Sequence, residues 1–229
     1  MKNLFQFIDK FCFLYNTSSE LSQNVAFFSD SIVIASDDLV KLSISIQIAE
    51  SYLKSTLGLV FRGGITYGKY YYEKNVLFGP AVVSSYQLEK RANYSRILID
   101  QSVEIPKDSS LLFFRDMDGW IVLNPFGMVL QSGCSYGGPQ GVQYPENPTK
   151  QLSESFEDNR RWIIGRIKQY KNTPIVEKYI WRIRPYNYTC KELLKCSDGE
   201  LLYPEISYAM NGELRRIISR AIISKQDYQ

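Results

Sequence analysis

Histidine is absent from all 229 residues. That excludes Ser-His-Asp and Cys-His hydrolases and zinc sites built on imidazole. Any catalysis must rest on carboxylates, Lys or Arg, Tyr, Cys, or a metal held by oxygen. Cysteine is scarce too: Cys12, Cys134, Cys190 and Cys196 contain no C-x-x-C pair, and read as reduced thiols rather than a disulfide or metal site. No apolar run approaches the ~20 residues of a membrane span, and the N-terminus carries no signal-peptide pattern. The expectation is a cytoplasmic chain without a membrane partner, in which Asn-x-Ser/Thr at Asn16, Asn93 and Asn187 means nothing as glycosylation. Charge of one sign is lacking as well, with 27 basic against 24 acidic residues. That balance leads us to expect no nucleic acid or other polyanion as partner.

What is present is a core. The chain is 45% apolar and 14% aromatic, too apolar for disorder, and long enough for one well-buried domain or a domain with an appendage. Residues 4–14 have helical apolar spacing. Residues 24–36 (NVAFFSDSIVIAS) read as two strands around a turn at Ser29-Asp30-Ser31. Asp37-Asp38 offers an N-cap to a helix whose stripe is Leu39, Leu42, Ile46, Ala49 and Leu53, ended by Gly58. Residues 59–68 and 69–78 read as paired strands. Pro80 opens a helix to about Ala92, Arg96–Asp100 is a strand, and Leu111–Phe114 with Trp120–Leu123 suits a hairpin turning at Asp118-Gly119. Residues 124–150 are rich in Gly, Pro, Ser and Gln and read as irregular. Helices are expected over 151–171, with Leu152, Phe156, Ile163 and Ile167 buried, over 174–184, and over 213–224. The order describes an α+β fold: a mostly antiparallel sheet with helices on one face, plus C-terminal helices.

Gly63–Lys69 (GGITYGK) satisfies G-x-x-x-x-G-K, but Tyr70 stands where a phosphate loop needs Ser or Thr, and strand rather than helix follows. The glycines more simply let the strand bend or a neighbour approach. Asp30 at the hairpin tip is either an ordinary turn aspartate or a carboxylate placed to bind a hard divalent cation. The charged groups Arg62, Lys69, Glu89, Lys90, Arg91 and Arg96 are either a solvated face with intrahelical pairs or the lining of an anion site.

FFSDSIVIAS (27–36), FRGGITYGKYYY (61–72) and LFGPAVVSSYQLEKRANYSRILID (77–100), in that order, resemble the class III nucleotidyl cyclases. More narrowly they are similar to the bacterial pyrimidine cyclases of Pycsar antiphage systems, and KYIWRIRPYN (178–187) is similar to that group's C-terminal region. The resemblance implies a ferredoxin-like cyclase core over 1–123, an irregular segment over 124–150, and a C-terminal helical extension of the same domain over 151–229. It also implies conversion of UTP or CTP to the 3′,5′-cyclic nucleotide with Mn²⁺ or Mg²⁺, in a homodimer with sites at its interface, the product activating a separate effector in antiphage defence. Uridylate cyclase activity is expected over cytidylate.

Asp30 matches the family's hairpin metal ligand. The other metal carboxylate of the family, in an F-x-D-x-x-G-F strand, has only Phe7-Ile8-Asp9-Lys10-Phe11 as a faint counterpart, 21 residues before Asp30 and in helical surroundings. The family's transition-state Asn and Arg match Val83 and Gln87; Arg91, one turn on, is the candidate for the catalytic cation. Arg62 and Arg96 are candidates for binding the nucleotide. The purine-reading pair matches Ala26 and Val76, neither of which can read a purine edge. The rival readings are a degenerate cyclase-like module that binds nucleotide or dimerises without activity, and an RNA-binding α+β sandwich, for which the RNP1 pattern is missing.

Overall fold

A computed structural model describes residues 25–28, 31–73, 76–107, 109, 111–127, 148–195, 201–203, 206–209 and 212–229. They form an α+β structure with five helices, and none of these helices is long and apolar enough to cross a membrane. The expected helix over 4–14 lies outside the described residues. The chain divides into two compact units, one built from residues up to Ser109 with Arg115–Leu123, the other from Ser110–Phe114 and Asn124–Gln229.

In the first unit, β1 (Val25–Phe28) and β2 (Ser31–Ile34) pair antiparallel, with Val25 opposite Ile34 and Phe28 opposite Ser31. This hairpin packs on α1 (Leu39–Leu57), where Val25, Ile32 and Ile34 meet Ala49 and Leu53. Both ends of α1 follow from local chemistry. Asp38 Oδ1 accepts the Lys41 N–H at 2.9 Å, and Gly58, at φ 67°, adopts the left-handed turn that lets the Leu59 N–H reach the Leu53 carbonyl. The buried face is more polar than the expected stripe. Leu39 and Ile46 are only half-buried, whereas Ser43, Gln47 and Glu50 are buried. Glu50 Oε1 accepts the Phe61 N–H at 2.9 Å and so fixes the chain leaving α1.

The expected pairing of 59–68 with 69–78 is not what forms. β3 (Gly63–Ile65) pairs in parallel with β6 (Ile97–Ile99), and the hairpin lies wholly within the second stretch, β4 (Tyr71–Glu73) with β5 (Val76–Phe78). Parallel strands need a long crossover, and α2 (Pro80–Arg91) supplies it. Gly64 explains why α2 can lie on β3: a Cβ there would sit 2.3 Å from Leu88 Cβ and 2.7 Å from the Ser85 carbonyl oxygen. β6 is buried along its whole length, as a central strand covered on both faces should be. It also pairs antiparallel with β8 (Ile121–Leu123). β7 (Phe113–Arg115), where the chain passes from one unit to the other, completes the order β3-β6-β8-β7. The β7–β8 turn uses Gly119 at φ 87°, as the Asp118-Gly119 pair predicts. In place of a single mostly antiparallel sheet, the described strands thus make four small sheets, one of them mixed.

The second unit is helical. α3 (Pro148–Gln169), α4 (Val176–Lys195) and α5 (Gly212–Ala221) surround a core that includes Leu152, Phe156, Ile163 and Ile167, the stripe expected from spacing. A short hairpin, β9 (Leu201–Tyr203) with β10 (Ile206–Ala209), precedes α5. α4 does not stop before Pro185 as proline's missing N–H suggests; it runs on for ten residues beyond it. Tertiary burial overrides the local preference: Trp181, Pro185, Tyr186 and Cys190 are all buried, Tyr186 donates its hydroxyl to the Phe156 carbonyl at 2.9 Å, and Thr189 donates to the Pro185 carbonyl. α5 ends earlier than expected because Ser224 caps a 3-10 turn over Lys225–Asp227, its N–H bonded to Asp227 Oδ2 at 2.7 Å. Cys190, the one cysteine among the described residues, is a free thiol pushed up to about 12 by burial.

Candidate functional site

The candidate residues converge on the first unit, around α2 and the strands it bridges. Asp30, the expected metal ligand, lies outside the described residues; the flanking strands are paired up to Phe28 and Ser31, so Ser29 and Asp30 are the two residues joining them. Among the described residues no group of three or more Cys, Asp or Glu side chains comes together as a metal site.

The three candidate arginines have different environments. Arg62, just before β3, is exposed and pairs with Glu89 on α2, its Nε donating to Oε1 at 2.8 Å. Arg91 is exposed at the C-terminal end of α2. Asp100, which follows β6, is held below the usual carboxylate range chiefly by the Ser102 hydroxyl and N–H, with the Arg91 charge adding a smaller lowering. Arg96 faces inward. Its side chain is 1% exposed and spans two carboxylates, Nη1 to Asp116 Oδ2 and Nη2 to Asp118 Oδ2, both at 2.5 Å. Its plane also lies against the Tyr94 ring. The guanidinium ties the start of β6 to the β7–β8 turn through both terminal nitrogens, while its Nε is buried without a hydrogen-bond partner.

Val83, Gln87 and Arg91 are exposed at i, i+4 and i+8 of α2, which puts them on one face. The helix's N-terminus is not a phosphate cradle: Pro80 has no donor, and the Ala81 N–H is taken by the Lys69 carbonyl at 3.2 Å. GGITYGK accordingly runs as strand and connecting loop, and Gly79, at φ 138°, is needed because a Cβ there would lie 2.9 Å from Tyr70 Cα. Of the pair aligned with the purine readers, Ala26 is buried and Val76 is exposed; the strands that carry them, β1 and β5, lie against each other.

The feature that sequence reasoning passed over is an apolar surface. Tyr70, Tyr71, Val76, Phe78, Val83 and Tyr86 are all exposed, Tyr71 at 61% and Phe78 at 55%. Tyr71 and Phe78 stack across the hairpin at 5.3 Å between centroids, and Lys90 Nζ lies 4.4 Å over the Tyr86 ring. Tyr71–Phe78 is a cross-strand aromatic pair, but one that remains exposed. A separate open depression of about 410 Å³ at the start of α1, lined by Asp37, Asp38, Leu39, Val40, Lys41 and Pro106, contains none of the candidate residues.

No protein-family model, no curated protein and no solved structure matches this chain.

Proposed function

We propose that the protein is a pyrimidine nucleotide cyclase with a class III cyclase-like core, converting UTP, or CTP, to the 3′,5′-cyclic nucleotide and pyrophosphate as a homodimer. The product would signal to a cyclic-nucleotide-activated effector in antiphage defence. The observation that carries the reading is the exposed face formed by the β4–β5 hairpin and α2. It carries the exposed Tyr71–Phe78 stack on the hairpin and the solvent-facing Val83–Gln87–Arg91 row on α2. Apolar surface of this kind marks an interaction site, and a cyclase whose sites form between two chains needs both a dimer contact and a cation beside it. In this reading Asp30 holds the divalent cation, Mn²⁺ or Mg²⁺, whose chemistry is to activate the ribose hydroxyl and take up pyrophosphate charge. Arg91 stabilises charge on the triphosphate, and Arg62 is the second exposed cation; Arg96, held by Asp116 and Asp118, keeps β6 in place instead of binding the substrate.

The test is to incubate the purified chain with Mn²⁺ and each of the four ribonucleoside triphosphates separately, and to identify products by chromatography and mass spectrometry. A cyclic pyrimidine product that disappears in Asp30→Ala and falls at least about tenfold in Arg91→Ala supports the proposal. No product from any triphosphate would refute it for this chain. A second reading, a non-catalytic cyclase-like module, is favoured by the neutral Val83 and Gln87 at positions where the family has Asn and Arg. Tight triphosphate binding without turnover would establish that one.

A further inference from the structure

Exposed rings and exposed cations are interspersed along residues 67–91. Tyr67 is 80% exposed, and Tyr70, Tyr71, Phe78 and Tyr86 are exposed with it; Lys69, Lys90 and Arg91 are exposed among them. The near-neutral total charge hides this local excess, since residues 62–91 hold five Lys and Arg against two Asp and Glu. Of the two acids, Glu89 pairs with Arg62, and Glu73 stands opposite Val76 in the hairpin.

The backbone links these positions. In the β4–β5 hairpin Tyr71 is opposite Phe78 and Tyr72 opposite Leu77. Leu77 is buried, so Tyr71, Glu73, Val76 and Phe78 share the other, open side, where the two rings stack at 5.3 Å. The loop before β4 lies against the start of α2: the Lys69 carbonyl accepts the Ala81 N–H at 3.2 Å, and a Cβ on Gly68 would meet Ala81 Cβ at 3.5 Å. Along α2, Val83, Tyr86 and Lys90 follow at i, i+3 and i+7, on one face, and Lys90 Nζ lies 4.4 Å over the Tyr86 ring.

Rings and cations side by side suit a polymer that repeats a flat base and a phosphate. Aromatic side chains stack on bases of any sequence, while Lys and Arg between them meet the linking phosphates. The core of a protein interface also gathers Tyr and Phe but is depleted in lysine, and here Lys90 rests on a ring. A base has two faces, so five exposed rings exceed what one nucleotide can use. We propose that the β4–β5 hairpin and α2 bind single-stranded nucleic acid without base specificity. This goes beyond the cyclase reading and does not rest on it; a strand and a second copy of the chain would compete for Tyr71 and Phe78.

Fluorescence anisotropy of labelled mixed-sequence single strands, RNA and DNA, with the full chain at about 50 mM salt tests it. The parent should bind a single strand at least about tenfold tighter than a duplex of the same length. Y71S/F78S should weaken binding at least about fivefold with the salt slope unchanged, because it removes stacking. K69Q/K90Q should instead lower the slope of log K against log salt by about 1.4, two phosphates at about 0.7 each for a single strand. K168Q/K178Q, in the second unit, should bind like the parent. Circular dichroism melts show that each variant folds; should Y71S/F78S melt early, Y86S on α2 replaces it with the same expectation. None of these variants touches Asp30 or Arg91, so strand binding and cyclisation fail separately. No single-strand binding by the parent, or parent-like binding by the ring variant, would overturn the proposal. So would tighter binding to the duplex, or to phosphatidylserine vesicles, than to the single strand.

Discussion

Replacing Arg96 by Met should unfold the protein more readily instead of weakening a nucleotide contact. The side chains of Arg96 and Asp116 are 1% and 2% exposed. Removing the guanidinium leaves the Asp116 carboxylate buried without its cation, and breaking such a pair from one side costs about 3–5 kcal/mol. That is a large part of the ~5–15 kcal/mol that holds a typical domain folded, and it corresponds to a fall in thermal midpoint of roughly 6–20 °C for a chain of this size. Asp118, at 46% exposure, is the internal control. Asp118→Asn removes the partner that water can replace and should cost under about 1 kcal/mol. The pair Arg96→Met with Asp116→Leu should recover most of the loss, because two apolar groups leave no buried charge behind. Urea unfolding followed by circular dichroism reads all three. If Arg96→Met costs no more than Asp118→Asn, the buried ion pair is not the anchor of β6. A loss confined to nucleotide affinity, with stability unchanged, would return Arg96 to the substrate site.

Gly64→Ala forces a methyl into the 2.3 Å and 2.7 Å approaches to Leu88 and Ser85, and should lower stability by about 3 kcal/mol, the upper end for overpacking; an unchanged urea midpoint would refute the close β3–α2 contact. Phe78→Asp should shift sedimentation toward the monomer with little change in melting temperature, since Phe78 is 55% exposed in a single chain; parent-like sedimentation would discard the β4–β5 face as a self-contact. Asp227 is held below its ordinary range by the Ser224 N–H first, then by the Ser224 hydroxyl and Arg160, and Asp100 by the Ser102 hydroxyl and N–H. Their stabilisation is present above the unfolded carboxylate value of about 3.9 and is lost as pH falls below it. The melting-temperature advantage of the parent over Asp100→Asn/Asp227→Asn should therefore be constant from about pH 7 to 5 and shrink below about pH 4; an advantage that persists undiminished to pH 3 would refute the assignment.

Local elements were legible wherever the chemistry was local. Asp38 and Gly58 delimit α1 because a carboxylate can accept a nearby helix N–H, and because glycine adopts a left-handed turn at low cost. Pro80 opens α2, Gly119 turns the β7–β8 hairpin, and the Leu152–Ile167 spacing marks the buried face of α3. Each depends on residues no more than a few turns apart. The partner of a strand does not. β3 chose β6, more than 30 residues away, over the adjacent stretch, and only the close seat of α2 on Gly64 makes that pairing possible. The same limit hid the end of α4, where Pro185 signals a stop that burial of Tyr186 and Cys190 outweighs.

The candidate site divides along the same line. The amino-acid sequence by itself determined which residue types could carry chemistry without histidine, and it brought Asp30, Arg62, Arg91 and Arg96 forward as charged groups in a suggestive order. It could not distinguish an arginine in solvent from one in a core, because one-dimensional order carries no information about which distant carboxylate will meet a side chain. Tertiary structure decided that Arg62 and Arg91 face outward while Arg96 is enclosed by Asp116 and Asp118. It likewise left the Tyr71–Phe78 pair uncovered. The physical reason is common to all of these: burial and ion pairing are properties of the space between segments, and that space exists only after the strands and helices have packed.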